Sequence, residues 1–99
     1  MSKNRYAART DDNEAEIVAA LRSIPGVTVE TGYNDILIGY RGITYWIELK
    51  NPNKVSKKTG KVLESAIKPD QKRIRDFYTG HYKIVSSLEE ILKEIGING

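Results

Sequence analysis

Apolar and polar positions alternate in two neighbouring stretches of this chain, Asp35 to Tyr40 and Ile43 to Lys50. A period of two marks β-strands. Arg41 and Gly42 between them read as a tight turn. A two-residue loop there pairs Tyr40 with Ile43, and counting outward from that pair sets Asp35 opposite Glu48. Val27 to Thr31 alternates in the same way and gives an earlier strand, and Tyr82 to Val85 gives a short later one. Helical spacing occurs three times. Glu14, Ile17, Val18 and Leu21 fall at i, i+3, i+4 and i+7 and predict a helix from Asp11 or Asp12 to about Ser23, ended by Pro25-Gly26. Pro69 opens a second helix that runs to about Thr79 and stops at Gly80. Leu88, Ile91, Leu92 and Ile95 form the stripe of a last helix, started by a Ser87–Glu90 capping box.

The predicted order is αβββαβα. A strand–helix–strand passage near the end calls for a parallel pair beside antiparallel ones, hence an α/β fold with a mixed sheet and helices on both faces. Residues 1–10 are basic and polar and read as a flexible arm. Residues 51–67 form a long polar connection, opened by Asn51-Pro52-Asn53 because proline cannot donate to a ladder. Connections of that length are usually functional or mobile.

Bulk composition narrows the function classes. A chain of 99 residues makes one domain, 1–99. The formal charge of +3 suits a polyanionic partner without requiring one. The absence of cysteine excludes disulfides and thiolate metal sites. No apolar run approaches the roughly 18 residues of a bilayer span. The opening Met1-Ser2-Lys3-Asn4-Arg5 lacks the apolar core of a secretion signal. The expectation is a cytosolic protein with no membrane partner.

Charge inside the strands carries the chemistry. Glu48 lies between Ile47 and Leu49 in the most apolar strand, and Lys50 shares its face. Opposed carboxylates repel; a bound cation would convert the Asp35–Glu48 repulsion into ligation. Two carboxylates and an ammonium in one sheet are what a divalent metal and a scissile phosphate require. Alternatively, Glu48 and Lys50 are an ion pair on an exposed sheet face. Glu14 shares the apolar stripe of its helix and is aimed at the sheet, yet Asp11 and Glu14 also fit a capping box. Gln71, Ile74 and Tyr78 share a face of the second helix, where Gln71 meets either a water or phosphate oxygen or a backbone group. Arg5, Arg9, Lys54, Lys57, Lys58, Lys61 and Lys72, with Arg73 and Arg75, are phosphate contacts or a solvated surface. The single histidine, His81, follows a helix-ending glycine and reads as a turn residue. No Ser-His-Asp set and no phosphate-binding glycine loop is present.

Asp35, Glu48 and Lys50 in this order resemble the PD-(D/E)xK nuclease motif. An amphipathic helix carrying Glu14 precedes them, as in the Holliday junction resolvase branch. The likeness is greatest to the VRR-NUC domain, the virus-type replication and repair nuclease family, whose small stand-alone members are about this size. It spans nearly the whole chain, with Tyr45-Trp46-Ile47-Glu48-Leu49-Lys50, Lys68-Pro69-Asp70-Gln71 and Ser86-Ser87-Leu88-Glu89-Glu90 as its supporting pieces. Asn34 departs from it, standing where the family often has proline; that position shapes backbone and does not ligate.

The resemblance implies a restriction-endonuclease-like fold and a metal-dependent DNA endonuclease of phage or host cytosol. Asp35, Glu48 and the Leu49 carbonyl would hold Mg²⁺ or Mn²⁺, with Glu14 ligating directly or through water. Lys50 would orient the attacking water, and Gln71 would assist. Homodimeric cleavage of branched DNA such as a Holliday junction is the first expectation. A non-catalytic nucleic-acid-binding module with the same fold, or a flap-cleaving or restriction-type nuclease, is the alternative.

Overall fold

The computed structural model describes residues 12–32 and 35–97. Arg5, Arg9, Asp11 and Asn34 lie outside the described residues, and with them the basic arm and the Asp11–Glu14 capping box. The elements are α1 (Asp12–Arg22), β1 (Val27–Glu30), β2 (Ile36–Tyr40), β3 (Ile43–Leu49), α2 (Pro69–Phe77), β4 (Tyr82–Val85) and α3 (Leu88–Ile95). Two short 3₁₀ turns, Pro52–Lys54 and Glu64–Ala66, sit between β3 and α2. The order is the αβββαβα that the pattern predicts, with strand ends one residue shorter at Thr31, Asp35 and Lys50.

One sheet of order β1-β2-β3-β4 forms the centre. β1, β2 and β3 are antiparallel, and β4 joins β3 in parallel. The β2–β3 turn is the two-residue loop expected. Arg41 and Gly42 both take positive φ, 55° and 80°. That is the type I′ signature, whose twist matches the strands it joins. The turn pairs Tyr40 with Ile43 and fixes the register out to Ile36 with Ile47.

Alternation along the strands divides the sheet into two faces. Val27, Val29, Ile36, Ile38, Tyr45, Ile47, Leu49 and Val85 point to one face. Ile17, Val18 and Leu21 of α1 and Ile91 and Ile95 of α3 bury against it. Leu21, Ile36, Ile38 and Ile91 are wholly inaccessible. α1 stops where the sequence predicts: Ser23 N–H bonds Ala20 C=O, and Gly26 turns the chain at φ 86°. α3 is capped by Ser87, whose Oγ accepts the Glu90 N–H at 3.2 Å. The reciprocal arm differs from a standard capping box, because Glu90 Oε1 accepts from the N–H of Ser86, one residue earlier, at 2.9 Å. Gly96 closes the helix in the left-handed region at φ 89°.

The other face carries Leu37, Trp46, Glu48, Lys50, Tyr82 and Ile84, with α2 beside it; helices thus flank both faces. α2 buries none of its residues. The connection from 51 to 67 has structure of its own. A Val55–Val62 bridge, with Leu63 N–H on Lys54 C=O at 2.7 Å and Ser56 N–H on Lys61 C=O at 2.8 Å, folds residues 54–63 back on themselves.

Candidate active site

β2 and β3 bring the candidate residues together. Asp35 stands at a bend one position beyond the Ile36–Ile47 pair that ends the ladder, and continuing the register by one step would bring it level with Glu48. Backbone direction identifies the kind of pair. Trp46 N–H and Lys50 N–H bond the carbonyls of His81 and Val85 on the β4 side. Backbone groups alternate along a strand, so those of Ile47 and Leu49 face the β2 side. Tyr40–Ile43, Ile38–Tyr45 and Ile36–Ile47 are therefore the hydrogen-bonded pairs of the ladder. Gly39–Thr44 and Leu37–Trp46 are the non-hydrogen-bonded ones, where opposed side chains come closest. The Leu49 carbonyl faces the β2 side at the end of the strand that Asp35 flanks.

Each charged group has a partner. Trp46 Nε1 donates to Asp35 Oδ2 diagonally across the ladder. Lys50 Nζ stands 3.5 Å from Glu48 Oε2 on the same face. The two side chains are only 14% and 9% exposed, so the pair is not the exposed salt bridge of the alternative reading. A largely buried ion pair adds little stability, since desolvation offsets much of its Coulombic gain. Burial pushes the Glu48 carboxyl above its ordinary value. Lys50 draws it down, Asp35 pushes it up and Lys68 draws it down. A buried carboxyl facing a like charge is an environment that a cation would relieve.

A cleft of about 470 Å³ opens over this group, lined by Gly32, Asp35, Trp46, Glu48, Asp70, Gln71, Ile74 and Tyr82. Gln71 faces it, as expected of its helix position, and also meets the alternative: its Oε1 accepts the Lys68 N–H at 3.0 Å. The Tyr82 hydroxyl is pushed up to about 12, first by burial and then by the charges of Glu48, Asp35 and Asp70. It therefore stays a neutral hydrogen-bond donor at physiological pH. Lys50 borders a neighbouring hollow instead, with Leu49, Asn51, Asn53 and Lys54.

The remaining candidates separate. Glu14 is half-buried in the first turn of α1, on the stripe that packs against the apolar face, whereas Glu48 points to the opposite face. Among the described residues no group of three or more acidic, histidine or cysteine side chains is arranged to hold a metal. Lys54, Lys57, Lys58 and Lys61 are exposed on the 54–63 excursion. Lys72 is half-buried and stands 3.8 Å from Glu64, which also pairs with Arg75 at 2.9 Å. Its charge is thus shared with an acid, which makes it a weaker phosphate contact than the hairpin lysines. His81 is exposed, with its ring 4.9 Å from that of Tyr45.

Asp70, Tyr82 and the Trp46–Asp35 bond were not singled out from sequence. Parity does put Trp46 on the Glu48 face, but a diagonal contact and a residue from β4 need the assembled sheet. No helix among the described residues is long and apolar enough to cross a membrane. No protein-family model, curated protein or solved structure matches the chain.

Proposed function

We propose that this chain is a divalent-metal-dependent, structure-selective DNA endonuclease with a restriction-endonuclease-like fold, resembling the junction-resolving branch of the PD-(D/E)xK nucleases. The observation that carries the reading is the convergence of Asp35 and Glu48 on one cleft, close enough for Asp35 to raise the Glu48 carboxyl, with Lys50 paired to Glu48. Stability does not explain it, because burial and the facing carboxylate both disfavour ionised Glu48.

Two carboxylates and the Leu49 carbonyl form a set of hard oxygen donors, which suits Mg²⁺ or Mn²⁺. Such an ion, when bound, stabilises charge on the phosphate and lowers the pKa of a water. Trp46 holds the Asp35 carboxylate in one orientation. Lys50 brings a positive charge to the same face and offsets the negative charge that develops on the phosphate. Tyr82 offers a neutral hydroxyl in the cleft wall as a hydrogen-bond donor. Gln71 fixes the start of α2 at the cleft wall. Lys54, Lys57, Lys58 and Lys61 neutralise the DNA backbone. Two symmetric cuts in a four-way junction require two such sites, which a two-fold homodimer supplies.

The test is a cleavage panel of four-way junction, flap, splayed and linear duplex DNA, each with Mg²⁺, Mn²⁺ or chelator. Metal-dependent cutting of branched DNA is expected, lost in Asp35→Ala and in Lys50→Ala while circular dichroism shows the fold intact. Full cleavage by Lys50→Ala overturns the assignment. Salt-sensitive DNA binding with no cleavage in any metal leaves a binding module in its place.

A further inference from the structure

The face of α2 that lines the cleft does not end there. Asp70, Gln71 and Ile74 form its first part. Phe77 and Tyr78 follow at i+3 and i+4 from Ile74 and continue the same stripe. Both are aromatic and open to solvent, Phe77 at 78% and Tyr78 at 51%.

Tyr78 is exposed and yet held in place. Its ring meets Trp46 edge-on, with centroids 5.4 Å apart. On another side it rests against Gly80, where an added Cβ would come within 2.6 Å of the ring. Its N–H is fixed to the Ile74 carbonyl at 2.9 Å. The indole that supports it is the one that holds Asp35. A preorganised aromatic surface thus leads directly to the acidic pair.

We propose that Tyr78, with Phe77 beside it, is a stacking platform for an unpaired nucleobase next to the cleaved phosphate. The platform deepens the nuclease reading and rests on it for the identity of the ligand. A base within continuous duplex keeps its faces covered by its neighbours. An unpaired base at a branch, fork or flap offers a free face, and stacking on an aromatic side chain is indifferent to sequence. The site would then select DNA by its unpaired nucleotides. A second copy of the chain is a poorer occupant. Two partly exposed rings offer a few hundred Å² at most, well short of the roughly 800 Å² per partner of a stable interface.

Binding in chelator separates this inference from the catalytic one. Affinities of wild type, Tyr78→Ala, Tyr78→Trp and Gly80→Ala are measured by fluorescence anisotropy on oligothymidine, splayed duplex and continuous duplex. Tyr78→Ala is expected to weaken binding of oligothymidine and splayed DNA by about fivefold or more, with continuous duplex little changed. Tyr78→Trp retains the preference. Gly80→Ala, which displaces the ring without removing it, shifts affinity in the same direction as Tyr78→Ala. Equal loss on all three DNAs, no loss on any, or a wild type without preference overturns the platform. So does a fall in sedimentation coefficient for Tyr78→Ala, which would make the patch a contact between copies. Absence of cleavage in every metal, with the binding preference intact, sinks the nuclease reading alone.

Discussion

The two faces of the β2–β3 ladder come from the same sixteen-residue run of sequence, Asp35 to Lys50, and do opposite work. One carries Ile36, Ile38, Tyr45, Ile47 and Leu49 and is sealed by α1 and α3. The other carries Asp35, Trp46, Glu48 and Lys50 beneath α2, a helix with no buried residue. The first face supplies the burial that folds the chain. The second keeps charge in partly dry surroundings, where ionised Glu48 is disfavoured. Adjacent residues on one strand thus answer to different demands, and substitutions at neighbouring positions should separate them.

Ile47 and Glu48 make the sharpest test. Ile47 is 1% exposed and packs in the apolar core. Ile47→Asp places an unpaired carboxylate there, at a cost of several kcal/mol. That is comparable with the roughly 5–15 kcal/mol that hold a domain of this kind together. Loss of the cooperative unfolding transition in urea is expected. One residue on, Glu48→Gln should leave the fold intact while cleavage falls by about 10²-fold or more, as when one group that stabilises the transition state is removed. Cleavage rates and circular dichroism on the same samples check both halves.

The acidity of Glu48 gives a smaller effect with a definite sign. Burial and Asp35 outweigh Lys50 and Lys68 and raise its carboxyl above the unfolded value near 4.5. The folded state therefore holds the proton to higher pH than the unfolded state does. This stabilisation is full below the unfolded value and is lost as pH rises through the folded one. In chelator, the Tm of wild type relative to Glu48→Gln should fall as pH climbs from about 4 toward neutrality. Mg²⁺ should raise the wild-type Tm at neutral pH and leave Glu48→Gln nearly unmoved, because a ligand that binds only the native state stabilises it. An equal response of the two proteins would remove Glu48 from the ligand set.

Much of this contrast was legible in the sequence because it depends on a period of two and one turn. Arg41-Gly42 reads as a two-residue turn, and that turn fixes the register from Tyr40–Ile43 out to Ile36–Ile47, one step short of Asp35 and Glu48. A parallel pair in a mixed sheet followed from the intervening helix; that β3 is the partner of β4 needed the structure. What escaped were features without periodicity or local spacing. The 54–63 excursion is polar, and Val55 and Val62 meet only once it folds back. The Glu64 partner of Lys72 and Arg75 sits in a 3₁₀ turn with no sequence signal. Helical periodicity places Glu14 on the stripe that faces the sheet and says nothing of which group it meets there.

The turn that sets this register offers the smallest and most local perturbation. Arg41 is the one described residue other than glycine with positive φ, at 55°. An L side chain in that region costs roughly 1–2 kcal/mol, less for asparagine, whose short polar group tolerates it. Arg41 recovers part of the cost by placing its guanidinium 5.1 Å from the centre of the Tyr40 ring. Such a contact is worth about 0.5–1 kcal/mol on an exposed surface. Arg41→Asn creates the Asn-Gly pair favoured in type I′ turns and forfeits the ring contact. The two changes nearly cancel, and a net gain of about 0.5 kcal/mol corresponds to a Tm rise of about 2–4 °C in a domain of this size. Cleavage should not change, because the turn closes the end of the ladder opposite to Asp35 and Glu48. A fall in activity with Tm held or raised would mean that Arg41 itself touches the DNA, and that the working face reaches the hairpin tip.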